Sequence, residues 1–256
     1  MGKYFAVLLV LILSAVSVDV VQGYDVVKVT DGATLKGMVS FKGDVPPDET
    51  ITITKDARYC GNEHKVGKYI VFDSRVKNVV VWIEGIEKGK AVPKKNVDVT
   101  IKNCRAIPHV NIGFVGGNYV FKNEDEILHT VQAKLGLAYQ RKVSSRPLED
   151  GASIYNLALP KAGLEVKKTI KKWHRITEDT GFIQVRSNTH NWIRGYIFIF
   201  DHPYAAVTDA KGSFEIDGLP AGDYILKAWH EGFGMKEQNI KVKSGESLEI
   251  EIAFAQ

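Results

Sequence analysis

An all-β fold in two sandwiches is what this sequence predicts. Short apolar runs rich in Val, Ile and aromatic residues recur along the 256 residues, with Gly, Pro, Asn or Asp between them. No stretch of helical period reaches ordinary helix length. From Asp201 onward the runs are punctuated by turn clusters such as Gly218-Leu219-Pro220-Ala221-Gly222, which marks a second, smaller antiparallel module.

In the larger unit the strand signals fall at 34–41, 50–54, 69–72, 78–83, 97–101, 109–114, 119–122, 130–133, 165–171, 181–185 and 194–200. Gly116-Gly117 between two apolar runs reads as a tight hairpin, too isolated to be a phosphate-binding loop. Residues 161–176 are read as strand rather than helix, because Gly163, Val166, Thr169 and Ile170 disfavour a helix. Residues 134–150 form the longest expected loop. In the smaller module strands are expected at 206–209, 213–216, 224–229, 235–242 and 248–254. There the alternation Ser247-Leu248-Glu249-Ile250-Glu251-Ile252-Ala253-Phe254 gives one buried and one wet face. The run 34–41, followed by Val45-Pro46-Pro47, has a similar strand-then-proline look and is read as a cryptic repeat of that module.

The first residues read as an export signal: basic Met1-Gly2-Lys3, an apolar run over 4–18, and a small-residue cleavage site at Val21-Gln22-Gly23. Asp19 cuts the run short for a spanning helix, although an uncleaved anchor is the competing reading. No later apolar run is long enough to cross a membrane. The expected mature chain starts at Tyr24 and is soluble, in the periplasm or outside the cell. A net charge of +4 is mild, and no basic motif is interleaved with aromatics, which argues against nucleic acid. No Gly-x-Ser-x-Gly elbow supports acyl transfer. Glu124-Asp125-Glu126 reads as a solvated turn rather than a carboxylate pair. The lysines around 167–172 read as protection of an edge strand.

The two cysteines, Cys60 and Cys104, leave two readings open. In an oxidising compartment a disulfide is the simpler. Its loop of about 45 residues corresponds to roughly 4 kcal/mol in the chain-entropy model. Alternatively Cys104, five residues before His109, is a metal thiolate.

Two further segments carry a resemblance. Asn123-Glu124-Asp125-Glu126-Ile127-Leu128-His129 and Ser187-Asn188-Thr189-His190-Asn191-Trp192-Ile193 resemble the ligand segments of cupredoxins. In that family one histidine follows an N-x-D-x-x-x-H run, and Cys, His and Met lie together on a loop between the last two strands. The resemblance puts His129 and His190 at the histidine positions, Ser187 at the cysteine position and Ile193 at the methionine position. With Asp201-His202-Pro203-Tyr204 and the Gly-x-Phe-x-Ile-x-Gly-Leu-Pro-x-Gly run behind them, the order is similar to exported bacterial proteins that fuse two domains. These are a cupredoxin-like domain and a carboxypeptidase-regulatory-like (transthyretin-like) domain.

The resemblance implies a signal peptide over 1–23 and a cupredoxin-like Greek-key sandwich with an N-terminal strand extension over 24–200. A smaller transthyretin-like (prealbumin-like) β-sandwich follows over 201–256. Blue copper needs a trigonal His2Cys set with a weak axial thioether, and Ser187 and Ile193 supply neither sulfur. The expected role is non-catalytic binding of copper in a non-blue site, or of zinc, by His129 and His190 with His109 as third nitrogen. In the bland reading the same histidines cap loops in a relict pocket, and His202 and His230 pack between domains. The alternative function is a metal-free structural or adhesion module that binds carbohydrate or protein through the C-terminal sandwich. Envelope redox or surface proteins are the expected partners.

Overall fold

The computed structural model describes residues 23–137, 153–171 and 181–255. The expected signal segment and most of the expected 134–150 loop lie outside them. The described start of that loop instead continues strand His129–Leu137.

The first sandwich faces two sheets. One runs Arg105–Ile107, Asn96–Lys102, Asn118–Asn123, Glu165–Thr169; the other runs Val110–Phe114, Arg194–Phe200, Gly181–Arg186, His129–Leu137, Ser153–Leu159. Alternation builds it. Along Asn96–Lys102 the residues Val97, Val99 and Ile101 point inward and their neighbours outward. They meet Tyr119, Phe121, Val131, Ile183, Val185 and Ile197 in one core.

The second sandwich is where the sequence division fails. Strand Ala33–Lys42 lies beside Ser213–Leu219 on one edge and runs parallel to Ser247–Ala255 on the other, in register from Thr34↔Ser247 to Lys42↔Ala255. Strand Val80–Glu84 sits between Ala205–Val207 and Gly222–His230. A boundary at residue 200 therefore does not separate the two sandwiches. Ala33–Lys42 and Val80–Glu84 are neither an extension of the first sandwich nor a repeat of the second. They are two of the second sandwich's own strands, and most of the first sandwich is inserted between Val80–Glu84 and Ala205–Val207. No local pattern names a strand's partner more than a hundred residues away, so the sequence could not reveal this.

The two units share a third core. The 79–83 run is apolar without alternation because it is buried on both faces. Val79, Val81 and Ile83 face the second sandwich's interior. Val80 and Trp82, with Trp229, face Val110, Phe114, Phe182, Phe198 and Phe200 of the first. Trp229 lies 4.8 Å from the Phe198 ring and 5.4 Å from Phe182. The tryptophans described, Trp82, Trp192 and Trp229, are all buried.

Between Ala33–Lys42 and Val80–Glu84 the chain makes an excursion onto the first sandwich. Strands Thr50–Thr52 and Glu63–Lys65 pair as a hairpin, with a short helix Ala57–Cys60 at its tip. Ile51, Ile53, Ala57 and Cys60 pack on the first sandwich's core.

Two imidazoles are locked inside. His202 lies 5.4 Å from the Phe200 ring, and His230 stacks on Phe233 at 4.5 Å. Burial pushes each down to about 4 from the usual 6.5. The unfolded chain therefore takes up protons first as pH falls. The stability these residues contribute is complete above about pH 6.5 and is lost on the way down to about pH 4, on the order of 2–3 kcal/mol each. Denaturant titrations at stepped pH are expected to show that slope between 6.5 and 4.5. A flat profile there would contradict it.

Candidate metal centre

The site begins with a buried asparagine. The Asn123 amide donates to the carbonyls of Ile127 and Leu159 at 2.9 and 2.8 Å, and its oxygen accepts the Asp125 N–H at 2.9 Å. That folds the 124–128 loop so that Asp125, 1% exposed, turns inward while Glu124 and Glu126 stay in solvent. The acidic run is therefore not simply a solvated turn.

Asp125 is held by the turn joining Asn96–Lys102 to Arg105–Ile107. Asn103 and Cys104 both have left-handed φ, 50° and 57°, the conformation of a two-residue hairpin turn. Their N–H groups donate to the two Asp125 oxygens at 2.7 and 2.8 Å. The Tyr59 hydroxyl, from the excursion's helix, lies 3.4 Å from one of them.

Asp125 in turn meets His129 Nε2 at 2.9 Å. His129 Nδ1 faces His190 Nδ1 at 2.9 Å. Beyond it, His190 Nε2 meets Asp56 Oδ2 at 2.8 Å. Both rings are 0% exposed. Burial, then the neighbouring His190, holds the His129 imidazole below its ordinary pKa, which favours the neutral form. The result is a row, carboxylate–imidazole–imidazole–carboxylate, with the inner nitrogens turned toward each other.

Ser187 lines the same place. The Ser187 hydroxyl accepts the His190 N–H at 3.2 Å and joins Thr130 and Thr189 in a hydroxyl trio at 3.0–3.3 Å. The Thr189 oxygen lies 3.3 Å from His190 Nδ1. Ile193 is 1% exposed and belongs to the core. No sulfur donor reaches the facing nitrogens among the residues described, so the site does not fit the blue-copper group.

His109 does not join this site. Its Nε2 pairs with Glu231, and its Nδ1 lies 3.1 Å from the Arg194 carbonyl. Glu231 directly follows the Gly222–His230 strand, so the pair links the two units. Strand Val110–Phe114 runs parallel to Arg194–Phe200 at the sheet edge, which carries His109 away from the pair.

Cys60 and Cys104 form a disulfide. Cys104 Sγ also lies in a buried group with Asp125 and His129, whose potential ligand atoms are all within 4.8 Å of one another. As a disulfide the sulfur is no thiolate.

Two carboxylates of this row escaped sequence reasoning. Asp125 had a signal, its place four residues before His129 in the N-x-D-x-x-x-H run. Asp56 had none, because it arrives from a separate excursion in a left-handed conformation, φ 52°.

Fold and site together describe a two-sheet β-sandwich with a buried histidine pair, inserted into a second β-sandwich. Residues 196–255 match the carboxypeptidase regulatory-like domain family. That contiguous match takes in strand Arg194–Phe200, which pairs inside the first sandwich, and leaves out Ala33–Lys42 and Val80–Glu84, which complete the second. No curated protein matches this chain in sequence. Among solved structures it is similar to the copper-containing nitrite reductase from Thermus scotoductus SA-01, at 19% identity and a TM-score of 0.29, over 44% of this chain and 24% of that one. Amicyanin from Paracoccus versutus (Thiobacillus versutus) aligns at 17% identity and a TM-score of 0.29, over 47% of this chain and 97% of that one. A purple cupredoxin from Nitrosopumilus maritimus aligns at 14% identity and a TM-score of 0.28, over 40% and 98%. No helix among the described residues is long and apolar enough to cross a membrane.

Proposed function

We propose that this chain is an exported, non-catalytic ion-binding protein that takes a divalent ion, copper(II) or zinc, between Nδ1 of His129 and Nδ1 of His190. One observation carries the reading: the two Nδ1 atoms face each other at 2.9 Å while each Nε2 meets a carboxylate. Three contacts in a row need three hydrogens, and two neutral imidazoles carry two. With both Nε2–H groups donating outward, two lone pairs oppose each other, and a cation between them resolves the conflict. Carboxylates behind both rings are the usual second layer of a histidine metal site, fixing tautomer and raising ligand basicity. Imidazole suits both ions, and copper(II) binds more tightly in a given nitrogen and oxygen site. With hydroxyl or water completing the shell and no third imidazole, the binding is weaker than in a closed four-ligand site.

Calorimetry with tag-free protein is expected to show one equivalent of copper(II) or zinc, lost in His129→Ala and in His190→Ala. Binding that survives both substitutions, or none in the parent protein, would sink the reading. The second outcome would favour a metal-free module whose partners dock elsewhere.

A further inference from the structure

We propose that opening the Cys60–Cys104 disulfide creates a second, thiolate-containing metal site from Cys104, Asp125 and His129, with zinc the ion it suits. It shares His129 with the site proposed above and does not depend on it.

Cys104 comes from one turn of the first sandwich, Asp125 and His129 from a single segment of another part, and their ligand atoms lie within 4.8 Å of one another. Cys104 and Asp125 are each 1% exposed, and His129 is 0% exposed. Asp125 is already fixed by the N–H groups of Asn103 and Cys104, so the turn that carries the sulfur also aims the carboxylate. Only the bond to Cys60 keeps the sulfur from acting as a ligand. A sulfur, a nitrogen and an oxygen with water in a fourth position make a tetrahedral set that zinc accepts, at about 2.3 Å for sulfur and about 2.0–2.2 Å for the others.

The neighbouring ring makes this chemically consistent. To bind through Nε2, His129 must carry its hydrogen on Nδ1. That atom faces His190 Nδ1 at 2.9 Å, so His190 accepts the hydrogen and orients the ring. The two sites are therefore alternatives. In the disulfide form His129 offers Nδ1, and in the dithiol form it offers Nε2.

The way in is through Cys60, which is half-buried where Cys104 is closed off. A dithiol reductant attacks the Cys60 sulfur as thiolate, forms a mixed disulfide and expels Cys104 as thiolate. Its second thiol then closes the reductant's own disulfide and releases Cys60. Two electrons and two protons pass from the dithiol to the protein. Metal binding then displaces the Cys104 proton to solvent.

The decisive variant needs no reductant. Cys60→Ser leaves Cys104 as a free thiol in the full-length protein. Cobalt(II), a spectroscopic stand-in for zinc, is expected to give a thiolate-to-cobalt charge-transfer band in Cys60→Ser and in the reduced parent protein. The band is expected to be absent from the disulfide form and from Cys104→Ser, which keeps only the Cys60 thiol. Asp125→Asn in the Cys60→Ser background is expected to weaken zinc about tenfold or more. If Cys60→Ser does not fold, the reduced parent protein, checked by circular dichroism, carries the test. A folded Cys104 thiol with no such band, or an equal band in Cys104→Ser, overturns the proposal. Ion binding by the oxidised protein is scored separately and reports only on the histidine pair.

Discussion

Asp125→Ala is expected to lower stability by about 3–5 kcal/mol, the range for removing one partner from a buried charged network. The carboxylate accepts the Asn103 and Cys104 N–H groups and meets His129 Nε2. Alanine leaves these donors inside the protein without water, at about 1–3 kcal/mol each if nothing relaxes. It also frees the turn that carries one half of the disulfide. Asp125→Asn keeps the volume and one acceptor oxygen, so its loss is expected to be smaller. Equilibrium denaturation with the disulfide intact measures both. A loss under about 1 kcal/mol for the alanine variant would mean that solvent reaches the Asp125 carboxylate.

Ser187→Cys with Ile193→Met is expected to produce the other large change, a colour. Loaded with copper(II), the double variant should turn blue by sulfur-to-copper charge transfer, and the parent protein should stay pale. The frame is in place: the two Nδ1 atoms are 2.9 Å apart, and the Ser187 oxygen touches the His190 backbone N–H. Serine to cysteine changes one atom. Isoleucine to methionine in the core conserves volume and is expected to cost under about 1.5 kcal/mol. A pale double variant would show that the imidazoles do not splay enough to admit a trigonal ion. An intense band in the parent protein would refute the placing of Ser187 at the thiolate position.

The strands were legible because alternation and turn residues are local, and Asn96–Lys102 and Ser247–Ala255 show it plainly. His129, His190, Ser187 and Ile193 were legible as a set only through their likeness to a known motif. Their spacing alone says nothing of a shared pocket. The cysteines needed only their number and compartment to suggest a pair. Three things were not legible, and each is a matter of distance along the chain. The strands that flank Ala33–Lys42 lie well over a hundred residues further on. Asp56 reaches His190 from a hairpin whose sequence has no metal-site pattern. His109, expected as the third nitrogen, is claimed by Glu231 from the other sandwich. Pattern reading ranks residues by their neighbours in sequence, whereas a buried carboxylate or imidazole is placed by whichever charge it meets.

The parallel pairing of Ala33–Lys42 with Ser247–Ala255 also sets a timetable for the chain as it is made. The first long strand described here is synthesised more than two hundred residues before the strand that covers its edge. Until then an apolar strand waits with an unpaired edge, while the inserted sandwich can close around its own core. Strand Ser247–Ala255 thus completes one made long before it. Pairings this remote in sequence are slow to form and leave edges open to strangers in the meantime. A chain cut short before Ser247–Ala255 leaves Ala33–Lys42 with an open edge as well.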